Sequence, residues 1–228
     1  MEKLDWNLEG LRNGCILAGI AHAIGVARYP VVANEHSWDE ENYSVQDSAG
    51  SRGTVSFAKG YCVGVFRNEK TRRAHSDFKS ALEYLQNAPE EVIELAKEEA
   101  LHYVLDFVDD EDEAQSVITT AFWGNADGFY TNDTFDDFLE YGGFLLERQV
   151  MDTESAIREW TDEYEFEECE IALLKRLYER KIAAPDARII LTGEELSMLN
   201  SDDTEGIEES EISFEELNIY FEDEENEN

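Results

Sequence analysis

The chain has 228 residues and carries 54 acidic against 18 basic side chains, so its formal net charge at pH 7 is −36. A field of this sign repels the phosphates of nucleic acids and of anionic membranes, which argues against direct binding to either. The hydrophobic content of 42% and the aromatic content of 11% argue against a disordered chain and suffice for one hydrophobic core.

The N-terminal residues do not resemble an export signal, because Met1–Glu9 contains acidic side chains and a tryptophan where a basic leader is expected. The most apolar stretch, residues 14–27, is too short to span a bilayer. The cysteines, Cys15, Cys62 and Cys169, are widely spaced and odd in number, which favours reduced thiols over a disulfide framework or a zinc site. We therefore expect a cytoplasmic protein that holds no metal or other cofactor.

Apolar and small residues at helical spacing predict a largely buried helix from about Leu8 to Ala27, which Pro30 ends. Within this helix, His22 is interpreted as a hydrogen-bonded core residue rather than as a base. Residues 31–33 are interpreted as a short strand.

One catalytic pattern lies in the predicted helix. Asn13-Gly14-Cys15 before an apolar helix resembles the nucleophile position of papain-like thiol hydrolases, in which a helix N-terminus lowers the pKa of the cysteine. The resemblance implies His36 as the base and Asp47 as the group that orients it. It covers three residues, lacks the aromatic residue that follows the cysteine in that family, and has its histidine far too early in the chain. A cysteine buried in the core is therefore the preferred interpretation.

Period-two alternation of β-branched and aromatic side chains predicts three strands between Asn42 and Arg67, joined by glycine-containing turns. The three strands would form a small antiparallel β-meander near the N-terminal third of the chain. Because a sheet of this size is not stable alone, we expect helices from the rest of the chain to cover it.

The turn between the first two of these strands is a candidate anion-binding site. Ser48, Ser51 and Arg52, with the amides around Gly50 and Gly53, have the composition of a concave nest. Glycine-rich turns are more often only turns, and neither a Walker motif nor a dinucleotide-binding fingerprint accompanies this one.

The net charge belongs to the later part of the chain. Residues 1–76 hold nine acidic and nine basic side chains, whereas residues 77–228 hold 45 acidic and nine basic ones. Helical patterns predominate in this acidic part. The predicted elements are a short helix at 78–85, a helix from Pro89 to about Val108, a loop at 124–131, a helix at 135–139, a long helix from Thr153 to Ile182 that is broken or bent at 162–168, a strand at 188–191 and a short helix at 192–196; residues 117–123 fit either a helix or a strand.

Two acidic stretches are candidates for contact with a partner. The first lacks the pivot glycine of an EF-hand loop, so it is interpreted as a solvated loop and not as a calcium site. It consists of Asp109, Asp110, Glu111, Asp112 and Glu113. The second is residues 201–228, in which thirteen acids and no base are mixed with aromatic residues; segment 212–221 either docks on the body or folds on a partner, and docking is preferred. The end from Glu222 is predicted to be disordered.

The sequence thus predicts an α+β fold that is mainly helical, with one globular domain at 1–200 and the acidic segment 201–228. The charge asymmetry and the missing catalytic signature favour a non-enzymatic protein that binds a basic protein surface electrostatically, as an immunity protein, antitoxin or inhibitor does. Two alternatives stay open. Either the acidity serves solubility alone, or the chain is a hydrolase or transferase of small substrates that uses Cys15, His36, Asp47 and Arg52.

Overall fold

The computed structural model describes residues 1–77, 79–107 and 114–222. The chain folds into two compact units. The first unit comprises Met1–Arg12 and Asp39–Val150, and the second comprises Asn13–Trp38 and Met151–Asn228. The predicted division into residues 1–200 and 201–228 stays a prediction.

The described helices are α1 (Leu8–Val26), α2 (Ala81–Tyr84), α3 (Glu90–Glu98), α4 (Phe135–Glu140), α5 (Thr153–Tyr164), α6 (Glu168–Ala183), α7 (Gly193–Ser197) and α8 (Thr204–Glu215). Short 3₁₀ helices lie at Pro30–Val32, Arg72–Ala74, Ala100–Val104 and Gly143–Leu146. The described strands are β1 (Glu2–Leu4), β2 (His36–Asp39), β3 (Asn42–Gln46), β4 (Arg52–Ala58), β5 (Tyr61–Arg67), β6 (Leu105–Phe107), β7 (Ala114–Ser116), β8 (Thr120–Asn125), β9 (Gly128–Thr131), β10 (Ile189–Leu191) and β11 (Ile219–Phe221).

Seven strands form one antiparallel sheet in the order β1-β9-β8-β5-β4-β3-β2. The predicted meander is confirmed as its β3-β4-β5 portion. The prediction of a mainly helical fold with only a small meander is wrong, because β8 pairs with β5 along Phe66–Thr120 to Tyr61–Asn125, and β9 and β1 extend the sheet beyond it. Two smaller sheets join β6 to β7 in antiparallel fashion and β10 to β11 in parallel fashion.

Residues 117–131 were not predicted as strands, and the reason is that β8 is buried on both of its faces. Each residue from Thr120 to Gly124 is buried, since both faces of the sheet are covered here, so the period-two alternation is lost. The prediction of a loop at 124–131 is wrong except at its centre, because Gly124 and Asn125 belong to β8 and Gly128–Thr131 forms β9. Asp127 donates its amide to the Asn125 side chain at 2.9 Å, and Gly128 has a φ of +138°, which closes the β8-β9 hairpin.

One face of the sheet packs against α2, α3 and the 3₁₀ helix Ala100–Val104. The buried side chains of this layer include Val63, Val65, Ala121 and Trp123 from the sheet and Val92, Ala96, Leu101 and Val104 from the helices. The predicted helix from Pro89 to about Val108 is therefore wrong in its second half. It ends at Glu98, because Glu99 leaves the helical region at φ −127° and ψ −84°. The residues that follow supply side chains to the sheet.

The opposite face carries a ladder of phenylalanine rings that lie over glycines on the neighbouring strands. The directly opposed pairs are Gly53 with Phe66, Gly64 with Phe122, and Gly124 with Phe129. A Cβ atom on these glycines would lie 2.1, 2.1 and 2.4 Å from the nearest ring carbon. Successive rings stack at centroid distances of 6.1 and 6.0 Å. We call these six residues the glycine–phenylalanine ladder, which requires a bare backbone under each ring.

Helix α1 confirms the predicted buried helix, and Cys15–Ala27, in the second unit, is buried without a break. The predicted long helix with a break is confirmed as α5 and α6, which are separated at Glu165 by a left-handed backbone conformation. Residues 31–33 are wrong as a strand, since Pro30–Val32 forms a 3₁₀ helix.

The helix α8 lies against the backbone of α1. Ser210 donates its hydroxyl to the carbonyl of Ala23 at 2.7 Å, and Ser201, just before α8, donates to the carbonyl of Ala27 at 2.5 Å. A Cβ atom on Gly206 would lie 2.2 Å from the carbonyl oxygen of Ala27. Small residues therefore bring α8 close to α1 and fix its rotation.

Candidate functional site

The structure places Cys15 in the third turn of α1, where its side chain is fully buried. The field of a helix N-terminus falls off within the first turn, so it does not activate a thiol at this position. His36 belongs to the second unit with Cys15, whereas Asp47 belongs to the first. The Asp47 carboxylate accepts the amides of Ala49 and Ser51 at 2.9 and 2.8 Å and so closes its own turn. Cys15 is thus a buried thiol beyond the first turn of its helix, and its action with His36 and Asp47 stays a prediction.

Alkylation of the native protein should modify Cys169 first and leave Cys15 and Cys62 unmodified. Cys169 is half-buried, whereas the other two side chains have no exposed surface. Burial also raises the pKa of the Cys62 thiol, which lowers its thiolate fraction further. Mass spectrometry after iodoacetamide treatment near neutral pH measures the sites, and unfolding in urea should expose all three. Rapid, stoichiometric modification of native Cys15 would instead support the hydrolase alternative.

The predicted anion-binding turn already binds carboxylates of the chain itself. The amide of Ser51 donates to the Asp47 carboxylate, and Arg52 forms an ion pair with Glu69 at 3.3 Å. Arg67 reaches the same carboxylate at 2.6 Å. Ser51 is buried and Ser48 is exposed. Binding of an external anion at Ser48, Ser51 and Arg52 stays a prediction, and such an anion would compete with Glu69 for its arginine.

The predicted partner-binding cluster Asp109, Asp110, Glu111, Asp112 and Glu113 lies outside the described residues. In the ranges that the structure does describe, no group of three or more histidine, cysteine, aspartate or glutamate side chains is placed to hold a metal ion. None of the helices in those ranges is long and apolar enough to cross a membrane.

A polar cluster of the first unit centres on Arg73 and was not predicted. Its guanidinium binds both carboxylate oxygens of Asp133 at 2.9 Å and the carbonyl of Thr119 at 2.9 Å. It also lies over the ring of Tyr141, 3.6 Å from the centroid, while Thr120 donates to Asp133 at 2.6 Å. These contacts fix the 3₁₀ helix Arg72–Ala74 to β8 and to the end of α4. These partners lie at least 46 residues from Arg73 along the chain, so no local sequence motif indicates the cluster.

The outward face of α8 carries a regular row of acidic side chains. Glu205, Glu208, Ile212 and Glu215 follow each other at spacings of three, four and three residues and are all exposed. Such spacing puts them in one row along the helix. Ile212 is 54% exposed in the middle of the row, with the half-buried Glu211 beside it. We call these five residues the α8 outward face.

The N-terminus of α8 is built to hold this face in place. The Asp203 side chain accepts the amides of Glu205 and Gly206 at 3.1 and 3.4 Å, which caps the helix. The buried side of α8 comprises Gly206, Ser210, Ser213 and Phe214. The acidic row is therefore part of a capped and packed helix.

Three arginines of the second unit pair with buried carboxylates. Arg176 and Arg180 both approach Glu195, at 3.5 and 3.0 Å, and Arg28 pairs with Glu170 at 3.0 Å. Burial acts to raise the pKa of Glu195, but the Thr192 amide and the two arginines outweigh it and hold that pKa below its ordinary value. By sequence, the second unit holds 27 acidic and seven basic side chains. Its surface charge is accordingly dominated by carboxylates.

Sequence reasoning identified the acidity of residues 201–228 but not the helical row within it. The signal that was available is the small-residue spacing Gly206, Ser210, Ser213, which marks one side of a helix that approaches another backbone. Comparison of the chain with family models, with curated proteins and with solved structures gave no match.

Proposed function

We propose that this is a cytoplasmic, non-enzymatic interaction protein whose carboxylates bind a basic surface of a partner protein, in the manner of an immunity protein, antitoxin or inhibitor. One observation carries the proposal: the α8 outward face presents a row of exposed carboxylates on a helix that is fixed to the buried helix α1. The cysteines support the proposed cytoplasmic location. All three lie within the described ranges, and none of them forms a disulfide bond.

Rigidity of the face favours binding over mere solvation. A partner that binds carboxylates on a mobile segment has to pay the entropy of ordering that segment, whereas α8 is already ordered by its cap and by its contacts with Ala23 and Ala27. A requirement for solubility alone is met equally well by acids on any exposed position. The anchoring of α8 is therefore the feature that solubility does not explain.

The chemistry of the face indicates the partner. Carboxylates one turn apart match lysine or arginine side chains on a second helix or strand. Ile212 offers an apolar contact between them, which the aliphatic stems of those basic side chains can cover. Because the pairs are exposed, each contributes less than about 1 kcal/mol, so affinity requires several of them together. Long-range attraction by the acidic chain then raises the association rate at low salt.

A matched pair of variants tests the proposal once a basic partner has been captured from the native host at low salt. The two triple variants are E205Q/E208Q/E215Q on α8 and E90Q/E91Q/E94Q on α3. Both remove three exposed negative charges, so they leave the same net charge. We expect the α8 variant to raise the Kd roughly tenfold to a hundredfold and to flatten its salt dependence, because three exposed pairs are lost. The α3 variant should change the Kd less than about threefold.

Two outcomes contradict the proposal. If both triple variants weaken binding equally, only the net charge matters and α8 is not the site. If no basic partner is retained at low salt, or if binding to it does not respond to salt, the acidity of the chain serves solubility.

A further inference from the structure

Five consecutive uncharged side chains follow shortly after helix α1, and none of them is buried. They are Tyr29, Pro30, Val31, Val32 and Ala33, and we call them the apolar turn. Val31 is 90% exposed, more than any other large apolar side chain in the described ranges. Single exposed apolar residues are common on protein surfaces, but an exposed run of this length is typical of binding sites. The apolar turn is therefore a candidate contact surface.

Hydrogen bonds hold the apolar turn in one conformation. The Val32 amide donates to the Tyr29 carbonyl and the Ala33 amide donates to the Pro30 carbonyl, both at 3.1 Å. The Tyr29 hydroxyl donates to the carboxylate of Glu165 at 3.2 Å. A partner that binds an ordered turn does not have to order it first, which favours affinity.

A buried histidine joins the apolar turn to the core of the second unit. The His22 ring on α1 is 1% exposed, with Nε2 at 3.1 Å from the carbonyl oxygen of Ala33 and Nδ1 at 3.0 Å from the hydroxyl of Tyr164. A carbonyl only accepts, so the neutral ring carries its proton on Nε2, and Nδ1 accepts the Tyr164 hydroxyl. The prediction that His22 is a hydrogen-bonded core residue is confirmed. The backbone of the turn is thus anchored, while its side chains point into solvent.

The apolar turn lies beside α8. The 3₁₀ helix Pro30–Val32 contacts α8 directly. The start of α8 faces the end of α1, because Ser201 donates its hydroxyl to the carbonyl of Ala27. Since the turn comes directly after the end of α1, it is next to the first half of α8, which carries Glu205 and Glu208.

We propose that the apolar turn and the α8 outward face form one binding surface, whose partner is a basic segment that carries a large apolar side chain between lysines or arginines. The inference rests on the proposed function and adds an apolar contact to it. The carboxylates of the α8 outward face match the cations of such a segment, and Val31 and Ile212 match its apolar side chain.

The two kinds of contact contribute differently to binding. Exposed ion pairs attract a partner over a distance and weaken as salt is added. Apolar burial acts only at contact and does not depend on the screening of charge. The carboxylates alone would bind any basic protein weakly, whereas Val31 and Ile212 favour the basic proteins that place an apolar side chain at this position.

A second copy of the chain does not fit this surface. Each copy carries a formal net charge of −36, so the carboxylates of one α8 would meet an equally acidic neighbour. Like charges that face each other across an interface oppose association. The occupant therefore has to supply positive charge together with the apolar side chain.

Two synthetic peptides test the apolar contact without an identified partner. Each is an alanine-based helix with lysines three and four residues on either side of a central position, which matches the spacing of the carboxylates on α8. The central residue is leucine in one peptide and alanine in the other, so the charge is the same. We expect the full chain to bind the leucine peptide about fivefold more tightly, with a more negative heat-capacity change in calorimetry, because its side chain is buried against Val31 and Ile212.

Matched variants of the chain locate the contact. Val31→Ser should reduce the advantage of the leucine peptide to less than about twofold, and it should not affect folding because the side chain is exposed. The control Ile182→Ser removes a different exposed apolar side chain of the second unit and should keep the fivefold difference. E205Q/E208Q/E215Q should weaken both peptides and flatten the salt dependence of both.

The inference is refuted if the two peptides bind equally, or if the advantage of leucine survives in Val31→Ser. Affinity that still falls as salt is added would in either case leave the proposed function standing. If neither peptide binds at low salt, the stated chemistry of the partner is wrong, and the triple variants with a captured partner decide the proposed function separately. Sedimentation adds a further check, because a dimer of the chain that Val31→Ser abolishes would assign the apolar turn to a second copy.

Discussion

Replacement of Gly64 by alanine should destabilise the first unit by roughly 3 kcal/mol, the upper end of the usual cost of overpacking a core. The new Cβ atom would lie 2.1 Å from a ring carbon of Phe122. That ring has no exposed surface and is held between Phe66 and Phe129, with the edge of Trp6 at 5.2 Å. It has no direction in which to move without breaking the stack. The strands β5 and β8, or the glycine–phenylalanine ladder, must therefore distort.

Urea unfolding followed by circular dichroism measures this loss, and Gly193→Ala is the matched control. A Cβ atom on Gly193 meets nothing within 4 Å, and this residue opens α7, so alanine there should be neutral or stabilise by up to about 1 kcal/mol. Combination of Gly64→Ala with Phe122→Leu should cost less than the two single changes added, because a smaller side chain leaves room for the methyl group. Additive costs, or a stable Gly64→Ala variant, would show that Phe122 does not depend on the glycine.

Local periodicity was enough for the elements whose sequence alternates or that are bounded by clear end signals. The strands β3, β4 and β5 alternate in sequence, although β4 and β5 are buried on both faces, and α5 and α6 carry an amphipathic pattern with acidic starts. The sheet beyond β5 could not be predicted in this way. β8 is covered on both faces and reads as a uniform apolar run, and the ladder depends on the register between strands far apart in sequence.

The candidate surface was predictable in charge but not in geometry. An acidic composition at 201–228 is visible in the sequence, whereas the contact of Gly206 and Ser210 with the α1 backbone joins residues 179 or more positions apart. The same holds for His22 and Tyr164, which are 142 residues apart. From the sequence alone, polar residues of this kind would be expected on the surface. Their partners are backbone carbonyls and single hydroxyls, and such partners leave no pattern in the sequence.

Replacement of Arg28 by methionine should cost the second unit roughly 3 to 5 kcal/mol, because it leaves the carboxylate of Glu170 buried without its cation. The Glu170 side chain has no exposed surface, and the pair is 3.0 Å apart. Arg28 also donates to the carbonyls of Tyr164 and Glu165 at 2.7 and 2.9 Å, so the change uncaps the C-terminus of α5 as well. The exposed pair of Arg12 with Glu41 supplies the control, since Arg12→Met should cost less than about 1 kcal/mol.

The pH dependence and a double variant separate the buried charge from the lost cap. Burial raises the pKa of Glu170 against the Glu167 amide and Arg28, which lower it, so the folded state takes up a proton before the unfolded state does. Without Arg28 that pKa rises further, and the deficit of Arg28→Met should be largest at neutral pH and shrink as the pH falls. The double variant R28M/E170M should regain at least half of the loss at pH 7, because it removes the stranded charge and leaves only the missing caps. A deficit that does not change with pH and is not relieved by E170M would assign the role of Arg28 to the end of α5 alone.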